Sequence, residues 1–370
     1  MSGLYIGLMS GTSLDGVDAV LADFEAPQPR VLGHCSSSFS AALKAELLAL
    51  NAPVDNELHR AALSANALAR LYASQVDQLL VQCAVPRSAV RAIGAHGQTV
   101  RHRPQEFDGT GYTLQLNSPA LLAELCGIDV VADFRSRDVA AGGQGAPLVP
   151  PFHQAFFGRT DQALGVLNIG GISNVTVLDP AAPEVLGFDC GPGNALMDAW
   201  CHTHTAQAFD DAGAWAAGGR IQIPLLQRLL SEPYFSKAPP KSTGRDLFNP
   251  HWLASQLAAA GPLAAQDVQT TLTELTAICC ANSLLAVAPH CTALKVCGGG
   301  ALNQHLMARL QVALPDCTVS STADAGLPPL QVEATAFAWL ARQTVLGKTS
   351  SLESVTGARG ARILGAIYPA

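Results

Sequence analysis

Three glycine-rich turns, each at the end of an apolar run, constrain the fold of this 370-residue chain most strongly. The first two join short apolar runs and predict β-hairpins, whereas the third leads into a helix with Leu302, Leu306 and Leu310 on one face. Glycine lets backbone N–H groups approach an anion closely, and Ser and Thr hydroxyls add further donors. The pattern therefore predicts a phosphate-binding α/β protein. The turns are residues 9–16, 168–174 and 296–303.

The first glycine turn has a counterpart in the second half of the chain. Gly11-Thr12-Ser13 and Gly171-Ile172-Ser173 occupy equivalent turn positions, 160 residues apart. Self-similarity at this spacing predicts two lobes built from one ancestral unit. We place an N-terminal lobe at residues 1–139 and a C-terminal lobe at 140–370, with the glycine-rich segment 140–151 crossing between them.

Composition excludes several classes of protein. Hydrophobic residues make up 49% of the chain and charged residues only 14%, which excludes intrinsic disorder. The 22 basic residues form no run and the net charge is −7, so neither nucleic acid nor a membrane surface is an expected partner. Ten cysteines without a C-x-x-C pair, and no charged segment before an apolar one at the N-terminus, predict a cytoplasmic protein with reduced, buried thiols.

The glycine turns do not match two common nucleotide signatures. The chain has no G-x-x-x-x-G-K-[ST] motif. Gly191 and Gly193 could begin a G-x-G-x-x-G motif, but Leu196 stands where the third glycine would be needed. Two hairpin turns followed by Gly298-Gly299-Gly300 before a helix are instead typical of the actin, Hsp70 and sugar-kinase superfamily. The predicted fold is therefore a two-lobed, actin-like α/β fold of duplicated ribonuclease H-like units, with the active site in the interlobe cleft.

Asp189 is the strongest candidate for a catalytic base. It ends an apolar run and precedes Gly191-Pro192-Gly193, and Asn194 is predicted as the N-cap of the next helix. A carboxylate beside the donors of a helix start suits a base near a transferring phosphate. The alternative is that Asp189 only closes the glycine turn by accepting backbone N–H groups.

Two further polar segments are candidates for substrate contacts. His96 and His102 lack a third metal ligand at suitable spacing, so sugar or phosphate contacts are favoured over zinc. Charges alternate along residues 133–138, which include Arg135; the alternative is that these charges pair with one another. Glu333 lies near the start of a helix predicted over residues 331–346, and a favourable interaction with the helix dipole is a sufficient explanation for an acidic residue there.

Five motifs, taken together, resemble one family, the anhydro-N-acetylmuramic acid kinases. The likeness runs collinearly from residue 3 to the C-terminal Ile-Leu-Gly-Ala-Ile-Tyr segment. It implies an enzyme of bacterial cell-wall recycling that converts 1,6-anhydro-N-acetylmuramic acid, ATP and water into N-acetylmuramic acid 6-phosphate and ADP, with Mg²⁺. The implied partner is the small amino-sugar, and a homodimer is left open. The motifs are residues 9–18, 96–104, 168–174, 240–246 and 297–300.

The resemblance assigns roles to particular residues. Asp189 matches the catalytic aspartate, Glu333 matches an acidic residue on the sugar side, and residues 11–18 match the ATP-binding loop. The expected ATP-binding set is Gly11, Thr12, Ser13, Leu14, Asp15, Gly16, Val17, Asp18, Asn168, Gly170, Gly171, Gly298, Gly299 and Gly300. The expected sugar-binding set is His96, Gln98, Thr99, Arg135, Cys190 and Glu333.

Two positions depart from the expected patterns. Cys190 stands where the family usually has threonine, and Met9 stands where the wider superfamily has an aspartate. The carboxylate that helps to hold Mg²⁺ is therefore left open. Two alternative functions also remain: an inverting glycosidase that uses no ATP, and a nucleotide-switched binding protein of the actin or Hsp70 kind.

Overall fold

The computed structural model describes residues 3–11, 14–26, 29–159, 161–182, 184–244 and 247–370. The chain divides into two compact units, which are described separately. Unit 1 comprises the chain up to Phe156 together with Gln331–Ala370, and unit 2 comprises Phe157–Leu330.

The bounds of the regular elements follow. The strands are β1 (Leu4–Met9), β2 (Gly16–Asp23), β3 (Arg30–Ser38), β4 (Ala92–Ala95), β5 (Gln98–Pro104), β6 (Gly111–Leu116), β7 (Val130–Ala132), β8 (Leu164–Ile169), β9 (Ile172–Leu178), β10 (Leu186–Pro192), β11 (Ala293–Cys297), β12 (Thr318–Ser321) and β13 (Ala366–Tyr368). The α-helices are α1 (Ala41–Ala49), α2 (Glu57–Cys83), α3 (Pro119–Cys126), α4 (Ser136–Ala140), α5 (Pro150–Phe157), α6 (Asn194–Thr205), α7 (Ala214–Ala217), α8 (Ile223–Leu230), α9 (Pro250–Ala258), α10 (Ala265–Val287), α11 (Gln304–Ala313), α12 (Val332–Val345) and α13 (Glu353–Thr356).

The two units have the same sheet topology. The strand order is β3-β2-β1-β4-β7-β13 in unit 1 and β10-β9-β8-β11-β12 in unit 2. In each unit the first three strands are antiparallel, and the next two strands of the shared order run parallel to the first. The first and second glycine turns therefore occupy the same place, between the first and second strands of a unit. This confirms the predicted duplication of a ribonuclease H-like unit.

Helix α12 packs on the unit 1 sheet with unusually close backbone contact. A Cβ atom on Gly7 would lie 1.8 Å from the Ala334 carbonyl oxygen, and one on Gly94 would lie 2.1 Å from the Phe337 carbonyl oxygen. Only glycine in β1 and β4 permits this approach. The predicted boundary therefore needs correction, because residues 140–156 and 331–370 belong with the first lobe and not with the second.

Helix α10 forms the centre of the unit 2 core. It is long and apolar enough to cross a membrane by length and composition, but 72% of its apolar stretch is buried inside the protein. Leu272, Leu275 and Leu284 are buried in one cluster with the strands of the sheet. This burial is typical of a core helix in a globular unit.

Several local predictions need correction. Strands β3 and β5 are not predicted from the sequence, and the charged segment at residues 133–138 runs into helix α4. The third glycine turn leads first into a 3₁₀ turn at Gly299–Leu302, and Leu302 is exposed, so only Leu306 and Leu310 pack inward from α11.

Candidate active site

Asp189 lies at a bulge in β10, where the pairing with β9 shifts between Asp189 and Gly191. Its Oδ2 accepts the Thr243 backbone N–H at 2.9 Å. Its own backbone N–H donates to the Lys241 carbonyl oxygen at 3.1 Å, and the Tyr234 hydroxyl donates to its carbonyl oxygen at 2.8 Å. The carboxylate is therefore oriented by the loop of the 240–246 motif, a contact that the predicted alternative of closure by residues 191–193 does not include. Arg245 and Asp246 of that motif lie outside the described residues.

The second glycine turn is fixed by the start of helix α6. The backbone N–H of Asn194 donates to the Gly170 carbonyl oxygen at 2.8 Å, and that of Gly193 donates to the Gly171 carbonyl oxygen at 2.9 Å. The Asn194 side chain donates to the Ile169 carbonyl oxygen at 3.1 Å. The prediction of Asn194 as N-cap is wrong, because Gly193 occupies that position and Asn194 is the first helical residue.

The third glycine turn packs directly against the strand that leads into the second. A Cβ atom on Gly298, whose φ is 76°, would lie 2.5 Å from Asn168 Oδ1, and one on Gly300 would lie 2.4 Å from Ile169 Cγ2. Gly299 lies between them at the start of the 3₁₀ turn. Close packing of glycine backbone therefore brings the second and third glycine turns, both predicted to bind ATP, together in unit 2.

In unit 1 the first glycine turn is only partly described. Leu14 has a φ of 59°, and its N–H donates to the Gly11 carbonyl oxygen at 3.1 Å; Thr12 and Ser13 lie outside the described residues. The side chains of Leu14 and Val17 are buried in the unit 1 core, so their predicted ATP contacts are confined to the backbone. Asp15 is exposed and forms an ion pair with Lys44 at 3.6 Å.

Gln98 stabilises the first glycine turn through a side-chain hydrogen bond. Its side chain is fully buried and its Nε2 donates to the Gly11 carbonyl oxygen at 3.1 Å. Thr99 is half-buried, and its hydroxyl accepts the side-chain amide of Gln115 at 3.2 Å. Gly16 starts β2, where a Cβ atom would lie 2.1 Å from the Ser37 carbonyl oxygen. Gln98 and Gly16 therefore stabilise the structure around the first glycine turn.

A buried hydrogen-bond chain positions Arg135. The Ser10 hydroxyl bonds to the Tyr72 hydroxyl at 3.0 Å, and the Ser10 carbonyl oxygen lies 3.1 Å from His96 Nδ1. The Arg135 guanidinium donates to His96 Nε2 from Nε at 3.2 Å and from Nη2 at 2.9 Å. Its Nη1 donates to the Gly145 carbonyl oxygen at 2.7 Å.

His96 is neutral in this arrangement. Burial, with a further contribution from the Arg135 charge, lowers the pKa of His96 to about 3. Nδ1–H donates to the Ser10 carbonyl oxygen, so the Nε2 lone pair accepts from the guanidinium. The sugar contact of His96 stays a prediction; in unit 1 both ring nitrogens are hydrogen-bonded, and Nε2 orients the Arg135 guanidinium.

Glu333 lies in the first turn of α12, near both Arg135 and Asp18. Burial raises the pKa of Glu333, the negative charge of Asp18 raises it further, and the positive charge of Arg135 opposes both. Asp18 is half-exposed and bonds His34 Nε2 at 3.1 Å. Unit 1 therefore brings together one cation, Arg135, and two carboxylates: Glu333, whose pKa is raised by burial, and the half-exposed Asp18.

Asp18 lies directly across the hairpin from Met9, the position where the wider superfamily has an aspartate. It pairs with Met9 in the β1–β2 hairpin, and directly opposed residues of an antiparallel pair point to the same face. A carboxylate therefore projects from the face where the superfamily carries one, although it comes from the neighbouring strand. No group of three or more His, Cys, Asp or Glu residues forms a metal cage within the described ranges.

Cys190 does not face the site. Its side chain is fully buried in the unit 2 core, and burial together with the neighbouring Cys280 raises the pKa of its thiol. The contact of Cys190 with the sugar stays a prediction, and this burial does not support it. His102 lies near Arg135 and Gly145, and its Nδ1 bonds the Thr113 hydroxyl at 2.9 Å.

Sequence reasoning missed the residues that hold Arg135 in place. Asp138 is completely buried; its Oδ2 accepts the Gly145 N–H at 2.8 Å and its Oδ1 accepts the Thr356 hydroxyl at 2.8 Å. Gly145 in turn binds Arg135, so the C-terminal segment supports the guanidinium. The partner of Asp138 is 218 residues away along the chain, and no local sequence signal marks such a pair.

Duplicated units with a glycine turn in each, and a strand-borne aspartate beside the turns of unit 2, define the class of actin-like kinases. The family model for "Anhydro-N-acetylmuramic acid kinase" matches residues 3–370. The anhydro-N-acetylmuramic acid kinase of Albidiferax ferrireducens is 64% identical over 100% of both chains, and that of Variovorax paradoxus is 63% identical over 99% of both. That of Cupriavidus pinatubonensis is 58% identical over 99% of this chain and 98% of its own.

Among solved structures, the chain is similar to the activator of the 2-hydroxyisocaproyl-CoA dehydratase from Clostridium difficile with bound ADPNP. The TM-score is 0.47 at 10% identity, over 90% of this chain and 92% of that one. The family, however, is decided by the sequence relatives. The chain belongs to the anhydro-N-acetylmuramic acid kinase family.

Proposed function

We propose that this chain uses ATP and water to open 1,6-anhydro-N-acetylmuramic acid and to phosphorylate its O6, giving N-acetylmuramic acid 6-phosphate and ADP. Family membership over residues 3–370 supports the substrate and the reaction. The observation that carries the mechanism is the placement of Asp189, a half-buried carboxylate at a strand bulge that is oriented through one oxygen by the Thr243 amide.

The anhydro bridge decides what the base must do. In the substrate O6 is bonded to C1, so there is no free 6-hydroxyl to deprotonate. Asp189 accepts a proton from water as the water oxygen attacks C1 and the C1–O6 bond breaks. The electron pair of that bond stays on O6, which takes the γ-phosphoryl group from ATP. One general base therefore serves both bond changes.

The glycine turns supply the proposed ATP contacts. In unit 2 Asn168, Gly170 and Gly171 form the phosphate-facing turn, and Gly298–Gly300 offer bare backbone against which a planar base can lie. In unit 1 residues 11–18 form the corresponding turn, with Gln98 fixing Gly11. Backbone donors suit phosphoryl transfer, which depends on positioning and charge neutralisation.

Mg²⁺ fits the oxygen donors near the turns. It usually keeps several waters and takes one or two carboxylates together with substrate phosphates, so a closed protein cage is not required. Asp18, half-exposed and opposite Met9, is the carboxylate of unit 1 that we assign to it. When bound, the ion supplies neutralisation of phosphate charge.

Arg135 and Glu333 are proposed to contact the sugar. The guanidinium, held by His96 and Gly145, suits an anionic group such as the lactyl carboxylate of the muramic acid. Glu333, whose pKa is raised by burial, suits hydrogen bonding to a sugar hydroxyl or amide. The placement of the site in an interlobe cleft stays a prediction.

The proposed role is recycling of cell-wall amino-sugar in the cytoplasm, and a homodimer is left open. Comparing ADP release with and without the anhydro-sugar tests the function. We expect ADP release to require the sugar and to match the sugar phosphate formed. Sugar opening without ATP would indicate a glycosidase, and slow sugar-independent ADP release would indicate a nucleotide-switched binding protein.

A further inference from the structure

Unit 2 contains a cavity of about 530 Å³ that is not part of the proposed active site. It lies between the C-terminal half of α10 and the loop that follows α8. Its volume falls within the usual range for small-molecule sites, roughly 300–1,000 Å³. The residues that characterise it are Phe188, Leu230, Phe235, Lys237, Lys241 and Ser283.

The cavity is positively charged in a chain with a net charge of −7. The sequence has five lysines, and two of them, Lys237 and Lys241, line this cavity. Within the described part of the chain, neither has a carboxylate within ion-pairing distance. Their ammonium groups lie over the same Tyr234 ring, at 5.7 Å and 5.0 Å from its centroid.

Lys241 has capacity for another partner. Among the described residues its Nζ makes one hydrogen bond, to the Phe235 carbonyl oxygen at 3.3 Å, although an ammonium group carries three donors. Burial lowers the pKa of Lys241; the negative charge of Asp189 opposes this shift, and the positive charge of Lys237 adds to it. A bound anion would relieve both penalties, because it would replace lost hydration and offset the repulsion between the two lysines.

The rest of the wall favours an apolar body. Leu230, Phe235 and Val287 supply apolar surface, while Asn282 and Ser283 supply polar groups at one side. A simple inorganic anion would leave this apolar surface in water. A molecule with an anionic group and a compact apolar or aromatic part would use both the lysines and the wall.

We propose that this cavity binds a small organic anion with an apolar body, and that its occupancy alters turnover through Asp189. The Lys241 carbonyl oxygen accepts the Asp189 N–H at 3.1 Å, and Phe188 of the wall immediately precedes Asp189. The loop that binds the anion is therefore the loop that orients the carboxylate. The binding site itself does not depend on the proposed reaction; only the effect on turnover rests on it.

Anilinonaphthalene sulfonate is a suitable probe, because it joins a sulfonate to an aromatic body and fluoresces in apolar surroundings. The titration uses the full chain with a non-hydrolysable ATP analogue and the anhydro-sugar at saturation, which occupies the proposed active site. We expect saturable binding that weakens about tenfold in Lys241→Gln and in Lys237→Gln. Lys348→Gln, an exposed lysine of unit 1, is the matched control and should bind as the parent protein does.

A filling variant keeps the test decisive if a lysine variant fails to fold. Ala286→Trp enlarges an exposed residue of the cavity wall and should abolish binding while far-ultraviolet circular dichroism stays native. The proposal is overturned if the parent protein shows no saturable binding, or if Ala286→Trp and the folded lysine variants bind as tightly as Lys348→Gln. A probe that binds but leaves sugar-dependent ADP release unchanged would overturn the proposed coupling to Asp189.

Discussion

At the scale of single residues, Asp189 shows how one side chain is made ready for proton transfer. Thr243, Lys241 and Tyr234 each bind a different atom of this residue, so its orientation is fixed from one loop and one aromatic ring. Asn at this position keeps an oxygen for the Thr243 amide but loses the ability to accept a proton. Removal of the base can therefore be separated from disruption of the fold.

We expect Asp189→Asn to reduce kcat by about 10²–10⁴-fold, the usual contribution of general base catalysis. Nucleotide affinity and Tm should change little, because the hydrogen bond to Thr243 is retained. Sugar-dependent ADP release and a melting curve measure the two quantities. Asp316→Asn, an exposed carboxylate of unit 2, is the control and should keep full activity. Turnover within a few-fold of the parent in folded Asp189→Asn would sink the assignment.

Buried histidines make the stability of the protein depend on pH. Burial lowers the pKa of His96 to about 3 and that of His102 to about 4, whereas the unfolded value is about 6.5. The unfolded chain therefore binds protons first as the pH falls. Each such histidine should cost about 1.4 kcal/mol of stability per pH unit below pH ~6.5, and for His102 the loss ends near its folded pKa of about 4.

We expect Tm to fall steadily when the pH is lowered from 7 towards 4, and His96→Gln to make that slope shallower. The measurement is a series of melting curves for both proteins at matched ionic strength. His251→Gln, an exposed histidine, should leave the slope unchanged. A slope for His96→Gln equal to that of the parent would show that His96 is not held neutral in the folded state.

Cys190 also shows what strand geometry adds to a motif. Cys190 is the extra residue of the bulge between Asp189 and Gly191 in β10, and its side chain is buried in the unit 2 core. A bulge has no local sequence signal here, so the motif alone does not predict the direction of this side chain. Cysteine in place of threonine therefore alters the core of unit 2, where its thiol lies among Cys280 and other buried groups.

At the scale of elements, apolar strands were predictable and polar ones were not. The bounds of β4 and β8 match their apolar runs, and the hairpins around the first two glycine turns are confirmed. Strands β3 and β5 were missed because their sequences, RVLGHCSSS and QTVRHRP, are rich in polar residues. They gain their strand structure from pairing with β2 and β6, which is information outside their own segments.

Some residues of the candidate site are likewise predictable from the sequence, and others are not. Glycines and an aspartate at strand ends have local signals, whereas the supports of Arg135 come from three separate regions of the chain. His96, Gly145 and, behind it, Asp138 with Thr356 meet only in the folded unit 1. Long-range hydrogen bonds of this kind leave no periodicity and no spacing to detect.

The link between Asp138 and Thr356 should therefore matter for the sugar side of the reaction. We expect Asp138→Asn to raise the KM for the anhydro-sugar several-fold while kcat changes less, because Gly145 and then Arg135 lose their fixed positions. Its Tm should also fall, since a buried amide then faces two donors with one acceptor; such a loss costs about 1–3 kcal/mol. Steady-state kinetics and melting curves measure both effects.

Asp55→Asn, an exposed aspartate of unit 1, serves as the control for this link and should match the parent in both measurements. Thr356→Val removes one of the two donors and should give a smaller change in the same direction. If Asp138→Asn lowers Tm but leaves the sugar KM unchanged, the pair stabilises the unit without positioning Arg135.

At the scale of the whole molecule, the two units have the same sheet topology, and residues 331–370 at the C-terminus complete unit 1. The glycines of β1 and β4 accept α12, which brings Glu333 to the same sheet as Asp18. The sequence repeat predicted the two units, but the return of residues 331–370 to unit 1 depended on packing that the repeat does not encode.

The thiol state is a whole-molecule prediction. The ten cysteines are free, and all except the half-buried Cys83 are buried. We expect a thiol reagent to titrate ten groups in denaturant and to react with the native protein slowly, Cys83 first. Fewer than ten free thiols in the denatured, unreduced protein would show disulfides and contradict this picture.

The central claim is that water attacks C1 while O6 takes the phosphoryl group. One turnover in water labelled with heavy oxygen, quenched early and compared with unlabelled product incubated in the same water, tests it directly. We predict label at C1 of the sugar phosphate, none in the phosphoryl group, and one ADP for each sugar opened. Label in inorganic phosphate, or sugar opened without an equal amount of ADP, would contradict the account.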